Sequence, residues 1–450
     1  MLSRISVFYE PQRVAVCSLT YVDVRMLSSW IPGANDSGFP AEHLPYGVFS
    51  TEDEGPRVGA RIGDHVVDLA RLARKRLVDG PFDVDTLNPF MSQGPEHWRR
   101  AREALTELVC DPGAWPRVEP AMFPLDRVAL RLPFDVADYV DFYSSLEHAT
   151  NMGRMFRRDG DPLLPNWRHL PVGYHGRSGT VVVSGTPISR PWGQRRTPDG
   201  SVVYEPTQAL DVELEVGFVI GVPSALGEPV VVDQAPRHVF GVVLVNDWSA
   251  RDIQAWEYQP LGPFLGKSFA TSIAAWVTPL EALQPCRVEG PVQEPPPLEY
   301  LRHEEPWGLG LDLAIELRPS GADGAETVSS TSFAGLYWRF PQQIAHLTAN
   351  GAALRTGDLL ASGTVSGAER GKEGSLVELT WAGTEPLSVA GQERAFLEDG
   401  DQVVLRGSAA VDDDVVLTLG EVQGGVSPAR GTQGDARPAE SASSPRPTSR

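Results

Sequence analysis

From about residue 133 onward the chain consists of short apolar segments separated by glycine and proline, and no other feature restricts its possible folds as strongly. The segments predicted to be strands are GTVVVSG (179–185), ALDVELEVGFVIG (209–221), HVFGVVLVND (238–247) and SLVELTW (375–381). These segments do not alternate with helical patterns, as they would in a doubly wound parallel sheet. The sequence therefore predicts a mainly β (α+β) protein whose larger part is a β-roll or sandwich.

The region before residue 133 predicts a smaller domain of a different kind. Residues 40–72 indicate strands and turns, including a hairpin over 61–67 with a Gly-Asp turn. A helix is predicted near Glu96–Val109, with Pro95 at its start. This pattern favours a small α+β or barrel-like unit.

These patterns also predict the boundaries along the chain. We expect the smaller domain over 26–132 and the larger one over 133–423. Residues 1–25 lack a clear period and are predicted to be a disordered N-terminal extension. Residues 424–450 are rich in Gly, Ser, Pro and Arg and are predicted to be a disordered tail.

Charge and cysteine content exclude several classes of protein. The net charge of −20 argues against nucleic acid as a partner, because phosphate binding needs a basic surface. The three cysteines have no CxxC spacing, which argues against a disulfide framework and a thiolate zinc site. Arg4, Glu10 and Arg13 interrupt any signal-peptide core, and the sequence has no run of about 18 apolar residues that would span a membrane. We therefore expect a cytoplasmic protein with no membrane partner.

The segment ALDVELEVGF alternates strictly between apolar and acidic residues. Side chains two positions apart share one face of a strand, which places Asp211, Glu213 and Glu215 together. Such a face can be a solvated surface, or it can bind a hard cation through its carboxylate oxygens. Asp247, at the end of a buried apolar segment, and Asp141, just before a predicted helix, favour the cation site. Because no His or Cys cluster accompanies these acids, the sequence indicates Mg²⁺ or Ca²⁺ rather than zinc.

A predicted helix carries a candidate base. Ser144 and Glu147 have capping-box spacing, so the helix should begin near Ser145, with His148 in its first turn. A single histidine in a helix can be purely structural. It can also act as a base, because an ordinary side-chain pKa of about 6.5 allows it to take a proton from water near neutral pH. The local pattern leaves both roles open.

Polar side chains follow Asp247 at helical spacing. Ser249 can cap a helix on which Arg251, Gln254 and Tyr258 share one face. This face can be an ordinary helix surface, or it can direct donors at carbonyl and carboxylate oxygens. Lys267 follows in an apolar, glycine-containing segment, so we expect its ammonium group to be desolvated. A partnered structural lysine is the alternative.

Taken together, long strings of this sequence resemble the fumarylacetoacetase family. The strings that carry the resemblance are DYVDFYSSLEHATNMGRMFR (138–157), LPNWRHLPVGYHGR (164–177), VVVSGTPI (181–188), LDVELE (210–215), VLVNDWSARDIQAWEYQPLGPFLGKSF (243–269) and GDLLASGTVSG (357–367). The similarity runs from about Trp30 to about residue 420. Leu146 departs from the pattern, because a basic residue is expected there.

The resemblance implies a role for each matching residue. It implies metal-site positions at Asp141, Glu213, Glu215, Asp247, Lys267 and Thr271, and a proton acceptor at His148 oriented by Glu378. It implies substrate contacts at Tyr143, Arg157, Tyr174, Gln254, Tyr258 and Thr364, and oxyanion stabilisation by Arg251, Gln254 and Lys267.

The resemblance also implies a fold, a reaction and a cofactor. The fold would be a small SH3-like β-barrel followed by a larger β-roll, paired in a homodimer. The reaction would be hydrolysis of 4-fumarylacetoacetate to fumarate and acetoacetate, the last step of tyrosine and phenylalanine catabolism, with Mg²⁺, Ca²⁺ or both as cofactor. Two alternatives are a related acylpyruvase, decarboxylase, hydratase or isomerase of other oxo acids, and a non-catalytic metal-binding scaffold. The His148–Glu378 pair and the complete N-terminal domain favour the hydrolase.

Overall fold

A computed structural model describes residues 27–157 and 160–431 of the chain. Its first part contains five strands and four helices. The strands are β1 (Tyr46–Ser50), β2 (Arg57–Ile62), β3 (His65–Asp68), β4 (Met122–Pro124) and β5 (Ala129–Arg131). The helices are α1 (Leu69–Arg74), α2 (Asn88–Met91), α3 (Pro95–Cys110) and α4 (Trp115–Val118). The predicted hairpin is β2–β3, and the predicted helix is α3.

The second part is dominated by strands. They are β6 (Tyr139–Phe142), β7 (Gly173–His175), β8 (Val181–Val183), β9 (Ile188–Ser189), β10 (Trp192–Arg196), β11 (Val202–Pro206), β12 (Leu210–Asp211), β13 (Leu214–Ile220), β14 (Val239–Asn246), β15 (Ser249–Ala250), β16 (Thr271–Ile273), β17 (Trp276–Pro279), β18 (Arg287–Val288), β19 (Gly308–Leu309), β20 (Asp312–Arg318), β21 (Glu326–Ser332), β22 (Leu359–Ala361), β23 (Leu387–Val389), β24 (Gln392–Arg394), β25 (Gln402–Ala410) and β26 (Val416–Ser427). The helices are α5 (Leu146–Phe156), α6 (Arg251–Glu257), α7 (Phe340–Thr348) and α8 (Leu376–Leu379).

One large sheet joins the two parts. Its strands follow the order β4-β3-β2-β1-β17-β14-β13-β22-β6-β7, and β1 pairs with β17 through Tyr46 and Gly47. Gly47 lies so close to this partner that a Cβ atom there would come within 2.7 Å of the Ala275 carbonyl oxygen. Among the described strands, β4 and β5 do not pair to close a barrel. The fold is therefore mixed α/β with mostly strands, and the SH3-like barrel stays a prediction.

A second sheet has the order β21-β20-β25-β26-β9 and extends further along the chain than the sequence indicates. Strand β26 continues to Ser427, whereas the tail was expected to begin at 424. Val426 pairs with Ile188 of β9, and a Cβ at Gly424 would lie 2.5 Å from the Trp248 ring. Gly424 thus allows close packing within a strand and does not begin a linker. Residues 1–26, which include the predicted N-terminal extension, and residues 432–450 lie outside the described part of the chain.

Three local predictions differ from the structure. The segment 375–381 contains the short helix α8 instead of a strand, because buried side chains and backbone contacts override its alternating pattern. The cap of α5 is Ser145, whose Oγ accepts from the His148 amide, and not Ser144. Ser249 does not cap α6 because it lies in β15, where its hydroxyl donates to the Asp247 carbonyl. No helix in the described residues is both long and apolar enough to cross a membrane.

His43 links the segment that precedes β1 to strand β17 of the large sheet. Its ring is buried, with Nδ1 3.2 Å from the Gly38 carbonyl and Nε2 2.9 Å from Thr278 Oγ1. Burial, assisted by the charges of Arg102 and Arg61, lowers the pKa of His43 from 6.5 to about 3. The folded protein therefore holds this imidazole neutral at pH values where the unfolded chain binds a proton.

We predict that His43→Gln reduces the acid sensitivity of the fold. Between pH 6.5 and about 3 the unfolded state carries the extra proton, so the wild-type protein loses stability as the pH falls. The loss amounts to about 1.4 kcal/mol per pH unit at most. Denaturant unfolding at pH 7.5, 6 and 5 should show a shallower dependence for His43→Gln than for wild type. His169→Gln, at an exposed position, should follow the wild-type curve, and equal slopes for all three proteins would contradict the assignment.

Candidate active site

Neighbouring strands bring four acidic residues together. Glu215 lies on β13, Asp141 lies on β6, and Asp247 follows β14 directly. Glu213 immediately precedes β13. Because β14, β13, β22 and β6 are consecutive in the sheet, these acids converge, and all four are buried with carboxylate oxygens within 4.8 Å of one another.

The charges of this cluster are only partly compensated. Burial, followed by the neighbouring Asp247 carboxylate, raises the pKa of Asp141 well above its ordinary value. Burial, followed by the carboxylates of Asp141 and Glu213, does the same to the pKa of Glu215. These carboxylates thus repel each other in a medium that screens charge poorly.

Two buried basic side chains balance the charges of Glu213 and Asp247. Lys267 Nζ donates to Glu213 and, at 2.7 Å, to Asp247 Oδ2, while Arg251 Nη2 lies 2.8 Å from Glu213 Oε1. Burial alone would raise the pKa of Glu213, but Lys267 and Arg251 hold it well below its ordinary value. Thr271 Oγ1 donates to Asp247 Oδ1 at 2.7 Å. Lys267 is therefore desolvated, as expected, and it is also paired.

The donor set fits a hard divalent cation. Among the described residues, Asp141 Oδ1 and Glu215 Oε1 are buried oxygens with no hydrogen-bond partner. The hydroxyls of Tyr139, Tyr174 and Thr364 are also buried without a partner. Unpaired buried oxygens are costly unless something positive binds them, and Mg²⁺ and Ca²⁺ bind oxygen ligands of this kind. The cluster therefore has the composition of a divalent metal site.

A cavity of about 190 Å³ leads to this cluster. It is lined by Tyr139, Tyr174, Asp247, Lys267 and Thr271, together with His175, Gly176, Arg177, Pro263, Phe264 and Ser268. A larger groove of about 690 Å³ lies beside the second sheet, near Asp312, Ser330 and Arg406. None of the predicted site residues lines that groove, so the smaller cavity is the one connected with the acidic cluster.

A histidine–carboxylate pair lies beside the acidic cluster. His148 Nδ1 is 2.7 Å from Glu378 Oε2, and both side chains are buried. Ser375 connects the pair with the cluster, because its hydroxyl donates to Glu378 Oε2 at 2.7 Å and its backbone forms a β-bridge with Glu213. With Nδ1 engaged by Glu378, Nε2 is the ring nitrogen free for a reactant.

Glu378 is surrounded by donors. Ser366 and Ser375 donate to Oε2 at 2.9 and 2.7 Å, and Asn151 donates to Oε1 at 3.0 Å. Burial would raise the pKa of Glu378, but His148, Asn151 and Ser375 lower it below the ordinary value. The carboxylate is therefore held ionised and in one orientation against the imidazole.

Comparison with known proteins identifies the family. Residues 139–426 match the family described as "Fumarylacetoacetate (FAA) hydrolase C-terminal", and residues 42–133 match "Fumarylacetoacetase N-terminal". The chain belongs to the fumarylacetoacetase family. The family members of Rattus norvegicus and Homo sapiens are 48% and 47% identical to it over 418 and 417 residues, which cover 89% of this chain and 99% of each of those proteins.

A solved structure of the family has the same fold. The fumarylacetoacetate hydrolase of Exiguobacterium antarcticum superposes with a TM-score of 0.51 at 19% identity, covering 86% of this chain and 100% of that one. At this identity the similarity concerns the fold alone.

Of the site residues that the fumarylacetoacetase resemblance implies, some lie close to the His148–Glu378 pair and the acidic cluster, and others are exposed at the rim of the site. Tyr143 packs edge-on against the His148 ring, with the ring centroids 5.2 Å apart. Burial, and secondly the Glu378 carboxylate, raise the pKa of the Tyr143 hydroxyl. Gln254 accepts from Arg251 Nη1 at 3.3 Å. Arg157 and Tyr258 are exposed at the ends of their helices and make no hydrogen bond to the acidic cluster. Leu146 packs beside Tyr143 against a core of tryptophan and tyrosine side chains.

Several residues of this site are not indicated by the sequence patterns. They are Tyr139, Asn151, Ser366 and Ser375. Asp211, predicted to share the acidic face of Glu213 and Glu215, instead lies in β12 outside the four-acid cluster and accepts from Arg251. Tyr139 could have been found from strand alternation, because it is two residues from Asp141 and shares its face. The donors around Glu378 could not, since only the tertiary structure brings 151, 366 and 375 to one carboxylate.

Proposed function

We propose that this protein hydrolyses the carbon–carbon bond of 4-fumarylacetoacetate to give fumarate and acetoacetate, the last step of tyrosine and phenylalanine catabolism. The observation that carries the proposal is the juxtaposition of four buried carboxylates with the His148–Glu378 pair. Membership of the fumarylacetoacetase family over both of its regions supports the substrate.

Breaking a carbon–carbon bond with water requires that a carbon leave with an electron pair. A 1,3-diketo acid allows this because the acetoacetate fragment departs as an enolate. Asp141, Glu213, Glu215 and Asp247 would hold a divalent cation, with Lys267 and Thr271 fixing two of these acids. That cation would draw electron density from the diketo oxygens and stabilise the enolate.

His148 is the proposed base. Glu378 fixes the proton on Nδ1, so Nε2 accepts a proton from water, and the hydroxide adds to the fumaryl carbonyl carbon. The adjoining carbon–carbon bond then breaks, its electron pair stays on the acetoacetate fragment, and the proton held by His148 returns to that fragment. One water is consumed, and the new carboxylic acid of the fumaryl fragment releases its proton to solvent, so both products are carboxylates.

The polar side chains around this pair have proposed binding roles. Arg251, Gln254 and Lys267 would donate to the oxyanion that forms when hydroxide adds, a role in which each donor typically contributes about 10²–10³ in rate. Tyr143, Tyr174 and Thr364 would contact the substrate near the cluster. Arg157 and Tyr258 would bind its carboxylate ends, which is compatible with their positions at the rim.

The finer organisation of the protein is also a proposal. We infer an SH3-like domain over 26–132 and a β-roll catalytic domain that begins at 133 and includes all of β26 to Ser427, beyond the predicted boundary at 423. The family matches over 42–133 and 139–426 support this division. We further propose a cytoplasmic homodimer that uses Mg²⁺ or Ca²⁺. Sedimentation of the purified protein near twice 48.9 kDa would support the dimer, and a monomer would refute it.

The proposed activity is tested by following the conjugated absorbance of 4-fumarylacetoacetate. Purified protein with Mg²⁺ or Ca²⁺ should abolish that absorbance and release fumarate and acetoacetate in equal amounts, and EDTA should suppress the reaction. A set of acylpyruvates and 2-oxo acids run in parallel should be turned over at least tenfold more slowly. Faster turnover of one of those acids would assign a related activity, and cation binding without any turnover would identify a scaffold.

A further inference from the structure

Asp211 is a buried carboxylate that the proposed mechanism does not use. Its side chain is completely inaccessible to solvent and accepts four hydrogen bonds. Oδ1 accepts from the amides of Val212 and Leu376, both at 2.8 Å. Oδ2 accepts from Arg251 Nε at 2.7 Å and from the Val377 amide at 3.1 Å.

Two of these bonds connect Asp211 with the helix that carries Glu378. Helix α8 has only four residues, and no side chain of its own residue Ser375 caps it. The first amides of a helix lack partners within the helix, and a carboxylate can satisfy them. Asp211, 165 residues away in the chain from Leu376, provides that cap. Glu378, the third residue of this single turn, directly follows the two amides that Asp211 holds, so this carboxylate helps to position it.

The third bond connects Asp211 with the proposed oxyanion donor. Asp211 fixes Arg251 through Nε, which leaves Nη1 toward Gln254 and Nη2 toward Glu213 of the acidic cluster. Without Asp211, the guanidinium group would keep only the contacts at its outer nitrogens. One carboxylate thus contacts both the element that holds the base pair and the arginine beside the metal site.

The backbone around Asp211 does not need this side chain for its strand pairing. Asp211 pairs with Ser249 in the β12–β15 ladder through main-chain atoms. A separate bridge between Glu213 and Ser375 joins the acidic segment to the start of α8. Removal of the negative charge at 211 therefore leaves these connections in place.

We propose that Asp211 is a positioning residue that sets the orientation of both Glu378 and Arg251 and so aligns the base with the oxyanion donor. The expected fall in kcat rests on the proposed hydrolytic function, whereas the expected change in the orientation of Glu378 and Arg251 rests on their hydrogen bonds to the surrounding residues alone.

The kinetic experiment compares Asp211→Asn with a matched control, Asp401→Asn. Asp401 is equally buried and accepts from an arginine, Arg394, and from the amides of Ser320 and Glu398, none of which belongs to the site. We expect Asp211→Asn to lower kcat about a hundredfold, change KM less than threefold and keep its affinity for Mg²⁺. Asp401→Asn should lose stability with kcat within twofold of wild type. Equal kcat values for wild type and Asp211→Asn would overturn the proposal.

A spectroscopic experiment gives an answer that does not depend on turnover. In protein labelled with ¹⁵N-histidine, the Nδ1–H proton of His148 should give a downfield resonance because it is bonded to a buried carboxylate. We expect Asp211→Asn to shift or broaden this resonance and Asp401→Asn to leave it unchanged. If wild type fails to hydrolyse 4-fumarylacetoacetate, the proposed function falls, and this resonance still decides the role of Asp211. An unchanged resonance in Asp211→Asn overturns it.

A second variant covers the case in which Asp211→Asn does not fold. Leu376→Pro, compared with Leu376→Ala because the leucine side chain is completely buried, removes one of the capped amides and keeps the Asp211–Arg251 ion pair. Ser375 already has an extended backbone (φ −145°, ψ 153°) suitable before proline. We expect this variant to perturb the His148 resonance and to lower kcat at least fivefold. Wild-type values for both would contradict the link between Asp211 and α8.

Discussion

Replacing His148 by glutamine is expected to reduce kcat by about a thousandfold, since a positioned general base typically contributes about 10²–10⁴ in rate. Glutamine keeps a polar group opposite Glu378 but cannot accept a proton from water. The imidazole bonds to Glu378, whereas the metal-site carboxylate of Asp247 is held by Lys267 and Thr271. The cation affinity of His148→Gln should therefore stay within about threefold of wild type. Steady-state kinetics together with calorimetric titration of Mg²⁺ measure the two quantities on the same samples.

The control for this experiment is His238→Gln. His238 also has its Nδ1 engaged, at 2.9 Å from the Val222 carbonyl, but lies outside the site. Its kcat should stay within twofold of wild type. If His148→Gln retained more than a tenth of wild-type kcat while binding the cation normally, another group would have to be the base.

The acidic cluster was predictable because it depends on local rules. Alternation in a strand places Glu213 and Glu215 on one face, and Asp247 follows a strand that is apolar enough to be central. The sequence could not decide whether that face was solvated. The structure shows these acids buried, since β13 lies between β14 and β22 in the interior of the large sheet.

The surroundings of Glu378 were not predictable for a physical reason. The segment SLVELTW alternates like a strand, and only the distant carboxylate of Asp211 supplies partners for the first amides of the helix that forms there. Likewise Asn151 and Ser366 reach Glu378 from separate segments of the chain. Such contacts are fixed by tertiary packing, and spacing along the sequence does not encode them.

The site's second large expected effect concerns the cation. Glu215→Gln removes one negative charge from the cluster and replaces an unpaired carboxylate oxygen with an amide. Because the affinity of a hard cation depends strongly on the number of charged oxygen ligands, we expect cation affinity and turnover at fixed cation concentration each to fall by at least a hundredfold. The Gly363 amide that donates to Glu215 Oε2 at 3.1 Å can keep its partner in the amide oxygen, so the variant should fold.

Thermal unfolding separates loss of the cation site from loss of the fold. A ligand at a hundred times its Kd stabilises the folded state by about 2.7 kcal/mol, which for a chain of 450 residues corresponds to a Tm increase of about 3 °C. EDTA-treated wild type should show this increase when Mg²⁺ or Ca²⁺ is restored, and Glu215→Gln should not. Asp358→Asn is the matched control, because Asp358 is a buried acid beside β22 whose partner is the Arg355 amide and which takes no part in the cluster. It should keep the full response, whereas an undiminished response in Glu215→Gln would mean that the cation binds elsewhere.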